Sequence, residues 1–440
     1  MWRYIPDLLA TPVPRYTSFP TAAEFTDTVD APDMDAALAG VGQGAPVSLY
    51  LHIPYCREIC WYCGCNTGAA NRTGRLDAYL QRLGQEIDLV ATSLGGRGKV
   101  TRIAWGGGSP NALAPDAFDR LNDRLLKAFD GAGAVGSIEV DPRGLGRAWA
   151  ASIARNRIGR VSLGVQTFAP HIQAAIGRVQ PEADIANSVG LLCEAGVGSI
   201  NFDLMYGLPG QSTGDLVDTL NRAIAMGPDR LAVFGYAHVP HLLPRQRRID
   251  ASALPSPRDR FVQAGIAHDL LTAAGYQAIG FDHFARTGDA IAIAASAGKL
   301  RRNFQGFTED ASDTLIGLGA SAISAFPDRL LQNEKNTGRY HLKIGSGRFA
   351  TARGLRRTAL DARIGAAIEQ VLCNGRADLS GLPLTRPVEA ALERFRMLGL
   401  VARDGHDLSL APDGLPYARS IAATLDPYRA GNQVRFSSAV

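Results

Sequence analysis

The chain has 440 residues, of which 46% are hydrophobic and 20% charged, a composition typical of a soluble globular protein with two domains. The formal net charge of +4 is too small to indicate a nucleic-acid-binding surface. Charged residues interrupt every apolar segment, and the N-terminus carries charge and proline instead of an apolar run. The sequence therefore predicts no transmembrane span and no signal peptide, and we expect a cytoplasmic protein without nucleic-acid or membrane partners.

The first half of the chain alternates short apolar segments with longer helix-like segments. Arg75–Leu94, with apolar residues at helical spacing, and Pro115–Phe129 are predicted helices. Most of the short segments are largely apolar, as expected for strands of a parallel sheet that are buried on both faces. The strand candidates are Val47–Ile53, Val100–Gly106, Ser137–Asp141, Arg160–Gln166, Ser199–Tyr206 and Arg230–Ala237.

Repeated strand–helix units on this scale predict a parallel sheet or barrel. Six units are fewer than the eight of a closed barrel. We therefore expect an α/β fold, an open, partial (β/α)6 barrel with one side free for a large substrate. The predicted division of the chain is an N-terminal lid segment over residues 1–45, the barrel with an extension over 46–345, and a small, mainly helical, winged-helix-like C-terminal domain over 346–440.

Polar residues and glycines lie at or near the carboxyl end of each predicted strand. Such ends meet on one face of a parallel sheet or barrel, so these residues are expected to converge there. Any one of them could serve as a capping residue or a core polar group, but their placement on six successive strands indicates a functional site. They are His52, Gly106–Ser109, Glu139, Asp141, Gln166, Asp203, Tyr206 and Tyr236–His238.

Four cysteines within ten residues, Cys56, Cys60, Cys63 and Cys65, form the densest motif of the chain. The first three have the spacing C-x3-C-x2-C, in which three thiolates hold three irons of a [4Fe-4S] cluster and leave the fourth open to a chelating ligand. This spacing resembles that of radical S-adenosylmethionine (SAM) enzymes. Zinc motifs usually come as two separated pairs, so zinc is a weaker alternative and disulfides a weaker one still. The two remaining cysteines of the chain are predicted to be buried free thiols.

Two further motifs follow predicted strands. Gly106–Gly108 with Ser109 lacks the Lys of a phosphate-binding loop and is either a tight turn or a place where backbone without Cβ atoms approaches a ligand. Glu139 and Asp141 are two residues apart and share one face of a strand. Their carboxylates suit acid/base chemistry, and equally a hydrogen bond to a ribose hydroxyl or a pyrrole N–H.

Two basic stretches, Arg245–Arg248 and Arg301–Arg302, stand out in the second half of the chain. Solvated surface charge is the favoured interpretation of such runs. The functional alternative is recognition of a polycarboxylate, because the planar guanidinium binds carboxylates in bidentate fashion.

Short motifs along nearly the whole chain resemble those of the oxygen-independent coproporphyrinogen III oxidases (dehydrogenases), radical SAM enzymes of haem synthesis. The cysteine motif alone would indicate only the superfamily, whereas many matching stretches in order indicate this family. The matching stretches are Pro14–Thr21, Tyr50–Pro54, Trp105–Gly108, Glu139–Arg143, Gly164–Gln166, Asp203–Pro209, Tyr236–His238, Asp282–Arg286, Asn303–Gly306 and Gly319–Ser324.

The resemblance implies a radical SAM barrel in which Cys56, Cys60 and Cys63 ligate the cluster and Cys65 does not. It also implies two SAM molecules. Contacts to the first, cluster-bound SAM are implied for Tyr50, Gly107, Glu139 and Ile323. Contacts to the second are implied for Tyr62, Gly108, Ser109, Gln166, Arg178, Asp203 and Ala237. Tyr50 and Glu139 are the predicted catalytic residues.

The activity implied by the resemblance is oxidative decarboxylation of two propionates of coproporphyrinogen III to vinyl groups, giving protoporphyrinogen IX. A flavodoxin or ferredoxin is the implied electron donor, and we expect a monomer. The alternatives are a radical SAM methylase and a haem chaperone, in which His52, His238 and His283 are candidate axial ligands. Cys65 and the segment Arg15–Thr21 favour the oxidase, because the haem chaperones and the haem-degrading methylases that resemble this family lack both features.

Overall fold

Alternating strands and helices place a large mixed sheet at the centre of the protein. The computed structural model describes residues 2–70 and 73–431. The strands are β1 (Pro46–Ile53), β2 (Tyr55–Cys56), β3 (Gly68–Ala69), β4 (Lys99–Gly107), β5 (Val135–Val140), β6 (Ile158–Gln166), β7 (Ser199–Tyr206), β8 (Arg230–Gly235), β9 (Gln277–Ile279), β10 (His283–Ala285), β11 (Arg301–Asn303), β12 (Gly306–Thr308), β13 (Thr314–Leu318), β14 (Ile323–Phe326), β15 (Arg329–Asn333), β16 (Thr351–Arg356), β17 (Arg376–Asp378), β18 (Val401–Asp404) and β19 (Asp407–Leu410). The α-helices are α1 (Pro6–Ala10), α2 (Ala31–Ala39), α3 (Thr73–Leu94), α4 (Pro115–Phe129), α5 (Arg147–Arg155), α6 (Pro170–Ala175), α7 (Glu182–Glu194), α8 (Thr213–Met226), α9 (Pro257–Ala273), α10 (Ala290–Ser296), α11 (Thr337–Gly345), α12 (Ala359–Asn374), α13 (Arg386–Met397) and α14 (Ala418–Ala422).

The sheet has twelve strands in the order β16-β15-β14-β13-β1-β4-β5-β6-β7-β8-β10-β9. Strands β1, β4, β5, β6, β7 and β8 pair in parallel, and each lies within two residues of a predicted strand. The predicted α/β fold with six parallel strand–helix units is thereby confirmed.

The sheet extends beyond these six strands at both edges. A seventh strand, β13, pairs in parallel with β1, and antiparallel strands follow it. At the other edge β10 and β9 are antiparallel to β8. An extension of the barrel was predicted, but not its strands, because they have three to six residues each, too few to show a reliable period.

The predicted helix Pro115–Phe129 coincides with α4, and local chemistry accounts for both ends. Pro115 occupies the first turn, where a missing N–H costs no hydrogen bond. Asp130 ends the helix in the left-handed region, with φ 49°, and its N–H bonds to the Leu126 carbonyl. The predicted helix Arg75–Leu94 is confirmed as α3, which begins two residues earlier.

The main hydrophobic core lies between the sheet and its helices. Leu49 and Leu51 of β1 are buried there with Leu83 and Ile87 of α3. Burial of each such side chain stabilises the fold by roughly 1.5–3 kcal/mol. The core holds the parallel strands in register and so fixes the positions of their carboxyl ends.

A second core joins the N-terminal segment to the C-terminal helices. Leu9 and Phe19 pack with Ile368 of α12 and Leu392 of α13. The small sheet β17-β19-β18 completes this C-terminal part. The predicted domain boundaries stay predictions, and β16, which follows the boundary at 345/346, pairs with β15 in the large sheet. In the described part of the chain, no helix combines the length and apolar character needed to span a membrane.

Candidate active site at the carboxyl ends of the strands

A cavity of about 420 Å³ occupies the interior of the barrel. Residues two apart on one strand share a face, so Ser137 and Glu139 of β5 both enter the cavity, as do Asn201 and Asp203 of β7. A second cavity of about 330 Å³ shares Arg302 and other wall residues with the first. The cavity extends along the strands, from Arg160 and Arg230 near their amino ends to Glu139 and Asp203 nearer their carboxyl ends, and it is large enough for a small-molecule substrate.

The cysteine loop begins directly after β1. Cys60 is buried, Cys56 and Cys63 are half-buried, Cys65 is exposed, and all four are free thiols. Burial raises the pKa of Cys56 to about 12. Hydrogen bonding with Cys65, whose N–H lies 3.4 Å from Cys63 Sγ, lowers the pKa of Cys63 to about 6. Cys65 is thus a direct neighbour of Cys63 and lies near Tyr50 and Glu139 of the predicted site.

Two arginines surround the Cys60 thiol. Arg178 Nη1 donates to Cys60 Sγ at 3.2 Å, and Arg143 Nη2 lies 3.8 Å from the same sulfur. Asp141 holds both guanidiniums, at 2.6 Å from Arg143 and 3.4 Å from Arg178. Burial alone would raise the pKa of Asp141, but the two arginines keep it below its usual range. Adjacent guanidiniums favour the thiolate form of a cysteine, the form that binds metal.

The glycine turn is built against the cysteine loop. Gly108 N donates to the Ile53 carbonyl at 2.8 Å, and Ser109 N donates to the Tyr55 carbonyl at 2.8 Å. A Cβ on Gly108 would lie 2.5 Å from the Tyr55 carbonyl oxygen, and Gly107 has a φ of 107°. Only glycine fits these two positions without displacing backbone. The structure therefore contains the tight turn predicted for the triple glycine. The approach of a ligand to this backbone remains a prediction.

Glu139 links the glycine turn to the cavity. Its carboxylate accepts a hydrogen bond from Gly107 N at 3.3 Å. The side chain faces the cavity, where loss of solvation and the nearby charge of Asp203 raise the pKa of Glu139 to about 7. Asp203 accepts hydrogen bonds from Ser162 Oγ at 2.8 Å and from Asn201 Nδ2 at 2.9 Å. Sequence reasoning missed Ser162 and Asn201, which face the interior from the neighbouring strands β6 and β7.

The other predicted SAM contacts come from separate loops. Gln166 ends β6 with a left-handed φ of 61°, and its buried Oε1 has no hydrogen-bond partner in the described part of the chain. Gln246 Nε2 donates to the carbonyls of Tyr62, at 2.9 Å, and Ala237, at 3.0 Å. The structure therefore joins two residues that are far apart in sequence, while Ile323 begins β14, two strands away from β1 in the large sheet.

The donor set of the cysteine loop fits an iron–sulfur cluster. Over residues 2–70 and 73–431, no three His, Cys, Asp or Glu side chains are grouped to hold a single metal ion. Three free thiols are the ligands expected for a [4Fe-4S] cluster, which spaces its thiolates around a cube. A guanidinium beside one of them can hydrogen-bond to the ligating sulfur. The unpartnered Gln166 Oε1 likewise fits a polar ligand at the neighbouring strand end.

Comparison with known proteins decides the family. The profile of the Radical SAM superfamily matches residues 50–223. The oxygen-independent coproporphyrinogen III oxidase of Bradyrhizobium diazoefficiens is 42% identical over 425 residues, 94% of each chain, and that of Escherichia coli is 36% identical, covering 94% of this chain and 93% of its own. The chain belongs to the oxygen-independent coproporphyrinogen III oxidases. The solved structure of coproporphyrinogen III oxidase from Escherichia coli, described as a radical SAM enzyme, matches with a TM-score of 0.90 and 35% identity, over 97% of this chain and 99% of that one.

Membership of these oxidases confirms the predicted fold and superfamily and gives the chain a [4Fe-4S] cluster and SAM as cofactors.

In this member of the oxidases the three candidate haem ligands all hydrogen-bond to protein groups. His52 Nδ1 lies 3.1 Å from the Tyr50 hydroxyl, and burial lowers the pKa of His52 to about 4. His238 Nδ1 lies 2.9 Å from the Tyr236 hydroxyl, and His283 Nδ1 lies 2.5 Å from Asp282 Oδ1. Their main contacts are therefore those of structural histidines.

Two expectations about single residues of this oxidase are corrected. Cys193 is exposed on α7 rather than buried, whereas Cys373 is buried as predicted. Arg302 is not a solvated surface charge, because its guanidinium stacks on Phe307 with 4.3 Å between Cζ and the ring centre. Arg248 is exposed, as expected for surface charge, and stacks on Trp61 of the cysteine loop at 4.2 Å. A run of charges in the sequence does not reveal such aromatic partners.

Proposed function

We propose that this chain converts coproporphyrinogen III to protoporphyrinogen IX in oxygen-independent haem biosynthesis, by oxidative decarboxylation of two propionates to vinyl groups. The observation that carries the proposal is a loop with three free thiols at the predicted spacing, beside a barrel whose interior holds a partly open polar cavity. Full-length likeness to oxidases of this name supports it.

The cysteine loop is assigned to the cluster. Cys56, Cys60 and Cys63 would ligate three irons, and the guanidinium of Arg178 would stabilise the Cys60 thiolate through the hydrogen bond already in place. Cys65 would donate its backbone N–H to the Cys63 sulfur without itself binding iron. When bound, the reduced cluster and SAM supply a carbon radical that removes a hydrogen atom from a substrate propionate.

Two SAM molecules are assigned to the predicted residues. The first would contact Tyr50, Gly107, Glu139 and Ile323, and the second Tyr62, Gly108, Ser109, Gln166, Arg178, Asp203 and Ala237. The Glu139 carboxylate beside the Cβ-free Gly107 suits the cationic methionyl end of SAM. The buried, unpartnered Gln166 Oε1 supports a second ligand, because a buried polar atom normally has a hydrogen-bond partner.

The N-terminal segment would exclude water from the reaction. Arg15 and Thr17 line the cavity, and Arg15 Nη2 donates to the Gly235 carbonyl at the end of β8, at 3.2 Å. This segment is anchored to the C-terminal helices by Phe19. A closed site protects a carbon radical from side reactions with solvent.

We assign electron delivery to a flavodoxin or ferredoxin that docks at the outer side of the cysteine loop. Arg57, Glu58 and Cys65 are exposed there. A single chain supplies all the residues assigned to the site, so a monomer acting in the cytoplasm is sufficient for the activity.

Glu139→Gln is expected to remove a pH dependence of SAM binding. Because the pKa of Glu139 is raised to about 7, its carboxyl is largely protonated at pH 6 and ionised at pH 8, so SAM affinity should rise about tenfold between these values. Isothermal titration of SAM into anaerobic, cluster-loaded protein at both pH values measures this. The exposed Glu194→Gln serves as control. An equal pH dependence in Glu139→Gln and the wild type would contradict the assignment.

The proposed function is tested by an anaerobic assay of reconstituted protein with SAM, a strong reductant and coproporphyrinogen III. Mass spectrometry should show protoporphyrinogen IX together with 5′-deoxyadenosine and methionine. Stoichiometric haem retention without conversion of the substrate would indicate a chaperone instead. S-adenosylhomocysteine among the products would indicate a methylase.

A further inference from the structure

Four arginines from distant parts of the chain meet beside the carboxyl ends of β7 and β8. Arg15 lies in the N-terminal segment, Arg260 in α9, Arg302 in β11 and Arg419 in α14. Arg260 Nη2 donates to the Tyr236 carbonyl at 2.6 Å, next to the carbonyl that Arg15 contacts. Arg302 donates through Nε and Nη2 to the Arg15 carbonyl, at 3.3 and 3.1 Å.

The guanidinium of Arg302 is held in place rather than free to move into solvent. Its Cζ lies 4.3 Å from the ring centre of Phe307 and 5.1 Å from that of Phe281. Arg302 Nη1 is buried and has no hydrogen-bond partner within the described part of the chain. A buried donor without an acceptor is costly, so this nitrogen points to an acceptor that a ligand brings.

Positive charge exceeds negative charge around these arginines. Burial, and then the nearby charge of Arg15, lower the pKa of Arg419 to about 10. Asp282, which faces Arg15, Arg302 and Arg419, is bound to His283 at 2.5 Å. Like charges brought together with partial burial are unfavourable unless an anion joins them.

The position of the arginines indicates contact with the substrate rather than with the cofactor. Arg15 and Arg302 line the barrel cavity, and Arg302 also lines the adjoining cavity of about 330 Å³. Glu139 and Asp203 line the same cavity, and Glu139 accepts a hydrogen bond from Gly107 of the glycine turn. The cavity wall therefore offers carboxylates suited to cationic SAM as well as guanidiniums suited to carboxylates.

We propose that Arg15 and Arg302 bind propionate carboxylates of the tetrapyrrole that do not react, with Arg260 and Arg419 raising the local positive potential. This inference rests on the proposed function and names its specificity-determining residues. Bidentate guanidinium–carboxylate contacts would fix the ring so that the reacting propionate faces the SAM site. The Arg245–Arg248 run is not part of this carboxylate site, since Arg245 hydrogen-bonds to Thr67 of the cysteine loop.

The test compares Arg15→Gln and Arg302→Gln with the exposed control Arg120→Gln. Each of the two variants should raise the KM for coproporphyrinogen III at least tenfold, whereas Arg120→Gln should leave it within twofold of the wild type. Arg15 is exposed, so its variant is expected to fold, and Arg302→Lys, which keeps the charge, should recover part of the affinity.

Fluorescence titration of the cluster-loaded enzyme with coproporphyrin III and mesoporphyrin IX, which carry four and two propionates, gives a second readout. The two propionates of mesoporphyrin IX are those that do not react, so the wild type should bind both porphyrins and each Gln variant should bind both at least tenfold more weakly. An unchanged KM and an unchanged affinity for both porphyrins in the two variants would overturn the carboxylate site while the proposed function stands. A wild-type enzyme that cleaves SAM but does not convert coproporphyrinogen III would overturn the proposed function instead.

Discussion

Replacing Cys56, Cys60 or Cys63 by Ala is expected to remove the bound iron and to reduce SAM cleavage to background. Each substitution deletes one of three thiolate ligands, and no further group of potential metal ligands lies nearby among the described residues. Iron and sulfide analysis after anaerobic reconstitution, with 5′-deoxyadenosine measured by chromatography, gives the result. A variant that retained full iron and SAM cleavage would show that the cysteine in question is not a ligand.

Two further cysteines provide matched controls. Cys193→Ala changes an exposed thiol on α7 and should leave iron content and SAM cleavage unchanged. Cys65→Ala should also keep the iron, because the backbone N–H that hydrogen-bonds to Cys63 Sγ remains. Loss of iron from Cys65→Ala would identify this residue as a ligand and contradict the assignment of the first three cysteines alone.

Gly108→Ala is expected to abolish SAM cleavage and to lower the free energy of unfolding by about 2 kcal/mol or more. The added methyl group would lie 2.5 Å from the carbonyl oxygen and 2.7 Å from the nitrogen of Tyr55. Both are backbone atoms next to Cys56, so relief of the clash displaces the cysteine loop itself. Thermal unfolding, iron content and SAM cleavage measure the three consequences.

Gly190→Ala is the matched control for this substitution. Gly190 lies within α7 and has no atom within 4 Å of the added Cβ. Since glycine in a helix interior is less favourable than alanine, this variant should be more stable by roughly 0.5–1 kcal/mol and fully active. If Gly108→Ala behaved like Gly190→Ala, the close packing of the glycine turn on the cysteine loop would not be needed for function.

The parallel strands of the barrel were predictable because each places buried apolar residues within a short segment, as do Leu49, Leu51 and Ile53 of β1. The additional parallel strand β13 is equally buried over Thr314–Leu318. It was missed because no helix-like segment of the expected length introduces it and its antiparallel neighbours are short. Long-range pairing, rather than local pattern, determines where these residues lie.

The candidate site was predictable only as far as residues follow strands or form dense motifs. Glu139 and Asp203 follow from strand ends, and the cysteines from their spacing. Gln246, which joins Tyr62 to Ala237, stands within a basic run and carries no local signal. Arg15 and Arg302 are 287 residues apart in sequence, and only the packing of the N-terminal segment against β11 brings them together.

The contact between the two ends of the chain has a consequence for how the protein is made. The Tyr16 hydroxyl donates to Asp426 at 2.9 Å, across 410 residues of sequence. During synthesis Asp426 leaves the ribosome long after the barrel strands have emerged, so this hydrogen bond can form only after the barrel has had time to fold. The N-terminal segment, which contributes Arg15 and Thr17 to the cavity wall, is therefore fixed in place late in the order of folding.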